Sequence, residues 1–142
     1  METDHLKRQE KQSIKIQVPM LISRLWVFLS LNYILCDLLT MMDKAVIRGL
    51  FEGNIGGIPL TQGFVLFAGI SLEIPCLMVV LSVVLPYMAN RRINIGAAIL
   101  MIMYQLASFL VGSDITLHYI FFSVMEILGN IVILVLAVKW KR

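Results

Sequence analysis

The chain has 142 residues, of which 59% are hydrophobic and only 15% charged, with a net charge of +3 and a mean hydropathy of +0.87. Soluble domains run about 45–50% apolar and about 25% charged, so this balance excludes a soluble globular or disordered protein and indicates an integral membrane protein. The basic excess is what membrane topology itself requires, and it does not point to nucleic acid.

Residues 1–19 form a polar segment, expected on the cytoplasmic side, that lies along the membrane surface or stays flexible. A single transmembrane domain follows over 20–142. About 20 apolar residues cross a hydrocarbon core about 30 Å thick, and four runs meet that length, over about 25–42, 63–87, 93–111 and 115–138. The expected fold class is all-α, a polytopic four-transmembrane-helix bundle. The first run is read as a retained helix, because a long polar segment precedes it and no small-residue cleavage pattern follows.

In the first run Asn32 and Cys36 share a face, and Tyr33, Asp37 and Thr40 share the neighbouring one. Asp37 is placed toward the outer mouth of the bundle, either lining it or standing as a helix-end carboxylate in reach of water. The loop "DKAVIRGLFEGNIGGIPLTQ" carries turn chemistry in "GNIGGIP" and reads as a connector or an outer cap.

The second run holds Glu73 near its middle. Gly69, Glu73 and Cys76 fall on one helical stripe, read as an interior seam, and an inward-facing Glu73 is expected. Pro75 removes the backbone bond to the Ser71 carbonyl and is expected to kink this helix. The stretch "ANRRIN" reads as the turn into the third run, where Asn94, Ala98, Met101, Gln105, Ser108 and Gly112 recur at spacings of three and four, with Tyr104 beside them. The fourth run repeats the pattern with Tyr119, Ser123, Glu126 and Asn130.

Lys7, Arg8, Lys11, Lys15 and Arg24, then Arg91 and Arg92, then Lys139, Lys141 and Arg142 fall on one side of such a bundle; Lys44 and Arg48 fall on the other, beside Asp43 and Glu52. The positive-inside rule places both termini in the cytoplasm, in a cell membrane, expected to be a prokaryotic inner or plasma membrane. Trp26, Trp140 and Tyr87 are expected at the cytoplasmic interface as amphipathic rings.

Ionisable groups within spans cost about 2.5–3.5 kcal/mol on insertion scales and usually face the bundle interior. The candidate ligand or proton site is therefore a polar layer of Glu73, Glu126, Gln105, Asn32, Asp37, Asn130 and Tyr104. Two carboxyls in one low-dielectric layer do not both ionise easily, so such a pair can hold a proton, accept a cation, or act as general acid and base. The alternative is purely structural, with interhelical hydrogen bonds fixing register.

Three functional readings remain open: a binder of a small lipophilic or cationic ligand, a proton-coupled carrier acting as a homo-oligomer, and an intramembrane acid–base enzyme such as an isomerase using Glu73 and Glu126. The first leads, because no nucleophile with an adjacent base and no phosphate-binding glycine loop is visible. The expected partners are the lipid bilayer, a small lipophilic or cationic ligand and further copies of the chain. No cofactor is expected, and no metal site, since Cys36 and Cys76 stand apart as small hydrophobes, His5 lies in the polar tail and His118 near a membrane face.

The pattern "LWVFLSLNYILCDLLTMMD", "QGFVLFAGISLEIPCLMVVLS" and "ANRRINI" resembles a small family of uncharacterised four-helix prokaryotic membrane proteins. The resemblance extends over nearly the whole chain and implies topology without a reaction. In size and helix number the chain also resembles DoxX-like membrane proteins. Small multidrug carriers differ in placing their glutamate in the first helix, and sterol isomerase-like proteins in bringing His and Trp to the cavity.

Overall fold

A computed structural model of the chain describes residues 2–55, 57–111 and 116–141, and the side chains of all of these but 2–16 and 111. It contains a long helix α1 (Glu2–Thr40), a short helix α2 (Lys44–Phe51), a two-stranded hairpin β1 (Asn54–Ile55) and β2 (Ile58–Pro59), and three further long helices, α3 (Gln62–Val84), α4 (Tyr87–Val111) and α5 (Leu117–Lys139). Four stretches are long and apolar enough to cross a membrane: Gln17–Thr40, Gln62–Val84, Tyr87–Leu110 and Leu117–Lys139. The protein is thus an all-α bundle of four transmembrane helices.

The N-terminal segment is not separate from the first span. It is helical from Glu2 and runs through Pro19 into the apolar stretch without a break. Polar side chains within α1 spend their bonding capacity on the backbone one turn earlier: Ser30 Oγ donates to the Trp26 carbonyl, Asn32 Nδ2 to that of Phe28 and Thr40 Oγ1 to that of Cys36, each at 2.8 Å. That habit keeps hydroxyl and amide groups satisfied in an apolar medium.

The long loop has structure of its own. Asp43 caps α2 by accepting from the Ala45 amide at 2.7 Å, as an N-cap carboxylate does. Gly53 and Gly57 at φ of +77° and +83° turn the chain around the hairpin, in a region that only glycine enters freely. Thr61 then caps α3, accepting from the Phe64 amide at 3.1 Å.

Two expected boundaries move. α3 ends at Val84, and Leu85 is extended at φ −73° and ψ 146°, the conformation that a following proline imposes. α4 begins at Tyr87 directly after Pro86, so "ANRRIN" is not a turn but part of the first two turns of a helix. The connection "GSD", Gly112 and the expected start of the last helix at 115 lie outside the described residues.

Successive spans alternate direction, so with four spans α1 enters and α5 leaves the bundle at the same end. α1 packs against α3 and α5, α5 packs against α4, and the α3–α4 contact is the sparsest of the four. Ile22, Trp26, Leu29, Met78, Ala98, Met101, Ile133, Ala137 and Trp140 form the core. Gly129 admits Leu29, whose Cδ2 sits 2.7 Å from where a Cβ would stand. Trp26 is fully buried in this core and Trp140 is 7% exposed, so both rings are turned into the bundle.

Candidate functional site

Polar groups inside the bundle fall into two clusters at different depths. The first lies near the end where α5 terminates. Asn94 on α4 is wholly buried; its Oδ1 accepts from Trp26 Nε1 at 2.7 Å and from Ser82 Oγ at 3.1 Å. Its Nδ2 donates to Asn90 Oδ1 at 2.6 Å and to the Asn90 carbonyl at 2.9 Å. Asn90 Nδ2 in turn donates to the Ser82 carbonyl at 2.6 Å, tying α4 to the end of α3. Close by, Arg91 donates to the carbonyls of Ala137 and Val138 at 3.0 and 2.9 Å, and Tyr87 to that of Trp140 at 2.8 Å. A guanidinium on the last carbonyls of a helix also complements its dipole.

This cluster is structural, because each donor found an acceptor. Asn90 was absent from the sequence-based candidates. The signal that reveals it is the four-residue step back from Asn94, which extends the third-run stripe once "ANRRIN" is read as helix.

The second cluster lies in the other half. Gln105 on α4 is 4% exposed and donates through Nε2 to Ser123 Oγ at 2.6 Å. Ser108 donates to the Gln105 carbonyl at 2.6 Å and shares a hydrogen bond with the Tyr119 hydroxyl. Asn130 is wholly buried and donates to the Tyr33 hydroxyl at 3.0 Å and to the Glu126 carbonyl at 2.9 Å. Glu126 is 1% exposed. Among the described residues, its Oε1 and the Oδ1 of Asn130 are buried without a hydrogen-bond partner.

The candidates named from the sequence therefore separate. Glu126, Asn130 and Gln105 are buried together with Tyr33 and Ser123. Tyr104 is half-buried and interacts electrostatically with Glu126 and Asp37 while lying beside Ser71. Asn32 is buried but donates to its own helix. Asp37 is exposed, yet within electrostatic reach of Glu126. Beyond it, His118 bridges Thr40 and Thr116 at 3.2 and 3.3 Å.

Glu73 is the correction. It is exposed on α3 with Gly69 and Cys76, while Ser71, Pro75, Met78 and Ser82 are the buried face of that helix. Residues two apart on a helix stand about 200° from one another, so Ser71 and Pro75 facing inward turn Glu73 outward. The stripe read as an interior seam is an exterior one. Glu73 and Glu126 consequently do not share a layer, and the acid–base enzyme built on that pair falls with it. The carboxyl near Glu126 is Asp37.

Among the described residues, no group of three or more His, Cys, Asp and Glu side chains is placed to hold a metal ion. No curated protein and no solved structure matches the chain. The chain does match, over residues 12–142, the family of unknown function DUF6326; with four spans, an interior carboxyl and that match over nearly its whole length, it belongs to this family.

Proposed function

We propose that this membrane protein binds one small cationic ligand, of the size and chemistry of a primary ammonium ion, at the layer formed by Tyr33, Gln105, Ser123, Glu126 and Asn130. The observation that carries this reading is the pair of unpartnered acceptors, Glu126 Oε1 and Asn130 Oδ1. They stand one turn apart on the same face of α5. An unsatisfied buried polar group costs about 1–3 kcal/mol, and more when charged, so two of them side by side call for donors. An ammonium group brings several N–H donors and the charge opposite to a carboxylate.

Asp37 supports an entry route. It is exposed and in electrostatic reach of Glu126, so a cation passing from the outer mouth meets one carboxyl before the other. The same pairing favours a second reading, in which proton and cation exchange at Glu126 and the protein acts as a carrier; proton release on binding separates the two.

The test is saturable binding of radiolabelled methylammonium to the purified chain in lipid nanodiscs. Charge-assisted hydrogen bonds contribute about 1.5–3 kcal/mol, so Glu126→Gln is expected to weaken binding by about tenfold or more. Asn130→Leu weakens it less, and Glu73→Gln leaves it unchanged. Absence of saturable binding, or equal binding by Glu126→Gln, rejects the site.

A further inference from the structure

α3 presents two opposed seams along its length. The inner one, Ala68, Ser71, Pro75, Met78 and Ser82, is covered by the rest of the bundle. The outer one runs Gln62, Leu66, Gly69, Glu73, Cys76, Val80 and Val83, alternating steps of four and three, and every member is exposed. Steps of four and three are the spacing by which two helices pack along a shared left-handed seam.

Two observations on this seam are unexplained by a single chain. Glu73 is the midpoint of α3, which puts it about 16 Å from either end at the helical rise of 1.5 Å per residue. A glutamate side chain does not span that distance to reach a headgroup, so alone it would stand in hydrocarbon, where ionisable groups are costly. Gly69, one turn before it, has nothing within 4 Å of where its Cβ would be, whereas Gly129 is filled by Leu29. Gly129 on α5 is thus filled from within the bundle, whereas Gly69, like Gly96 on α4, leaves an open notch, here beside the carboxyl.

We propose that the outer face of α3 is the contact between two copies of this chain, related by a two-fold axis along the membrane normal that passes beside Glu73. Membrane insertion gives both copies the same orientation, so residues at equal depth meet their own counterparts. A two-fold contact needs a polar group able to pair with itself. Two Glu73 side chains facing across the axis meet a polar partner of their own kind in place of hydrocarbon. Gly69 and Cys76 on either side are small enough to let the backbones approach, and Leu66, Val80 and Val83 extend the apolar contact toward both ends.

Native Cys76 gives a direct probe, because it is exposed on this seam while Cys36 is buried. The full chain carrying Cys36→Ala is reconstituted in phosphatidylcholine vesicles and treated with a short bifunctional maleimide. The expected result is a covalent dimer through Cys76, and none when both native cysteines are replaced by alanine and the probe is Ile99→Cys, exposed on α4. Förster transfer between labelled chains at varied protein-to-lipid ratio then gives the dissociation constant. Glu73→Leu is expected to raise it about 3- to 30-fold, the range of interhelical hydrogen bonds in lipid, and Glu73→Gln, which can also pair with itself, to raise it less. Failure to crosslink through Cys76, or chains that remain monomeric by energy transfer, overturns the proposal. A dimer indifferent to Glu73→Leu overturns it as well.

Discussion

Asn94 shows how much one carboxamide can hold in an apolar bundle. Its oxygen accepts hydrogen bonds from α1 and α3, and its nitrogen is spent on Asn90 within α4. Asn94→Leu keeps the volume but strands the Trp26 N–H, the Ser82 hydroxyl and the Asn90 amide oxygen, all buried. Each unmet group costs about 1–3 kcal/mol, relieved in part by relaxation, so a loss of about 2 kcal/mol or more is expected on denaturation of the micelle-bound protein in sodium dodecyl sulfate. In a Trp140→Phe background the emission of Trp26 should shift at the same time. Unchanged stability and emission would show that the asparagine is not the junction. At this scale Glu126 was legible from its stripe with Ser123 and Asn130, but Glu73 was not. Small or polar residues stand on both faces of α3, Gly69 and Cys76 on one and Ser71 and Ser82 on the other, so nothing in the periodicity distinguishes the side that meets protein from the side that meets lipid. The rule that intramembrane carboxyls face the interior decided the matter, and within a single copy Glu73 departs from it.

Between elements, the α1–α5 contact depends on Gly129. Leu29 fills the space a side chain would need, and both residues are buried. Gly129→Val drives its methyl groups into Leu29 and forces the two helices apart, an overpacking that costs about 1–3 kcal/mol. Since Asn130 neighbours it, that variant is expected to lower the denaturation midpoint and also to lengthen the Asn130–Tyr33 hydrogen bond, read as weaker methylammonium binding; the pair Gly129→Val with Leu29→Ala should recover most of the stability. An equal loss in the single and double variants would mean that the crowding lies elsewhere. The number of spans was legible because length and hydropathy alone report it. The start of α4 was not, because Asn and Arg after a proline are also what a turn contains. Only packing of Asn90 and Asn94 against Trp26 and Ser82 makes that stretch a helix, and this information sits on other elements.

For the whole molecule, charge decides orientation once the helix order is known. Arg24, Arg91, Arg92, Lys139 and Lys141 all lie at the end where α5 terminates, with Arg91 already committed to the α5 carbonyls. The opposite end carries Lys44 and Arg48 beside Asp43 and Glu52. Lysine and arginine set topology in short loops while acidic residues count for little, so the comparison is of two cations against five, before the basic residues ahead of the first span are added. The end carrying α2 and the hairpin is expected outside. In a Cys36→Ala, Cys76→Ala background, Glu52→Cys should react with a membrane-impermeant maleimide on intact cells, whereas Lys141→Cys should react only after permeabilisation. The reverse pattern would place α2, the Asp37 mouth and the route to Glu126 on the cytoplasmic side. In that case a cation binding at this layer would be one the cell supplies from within.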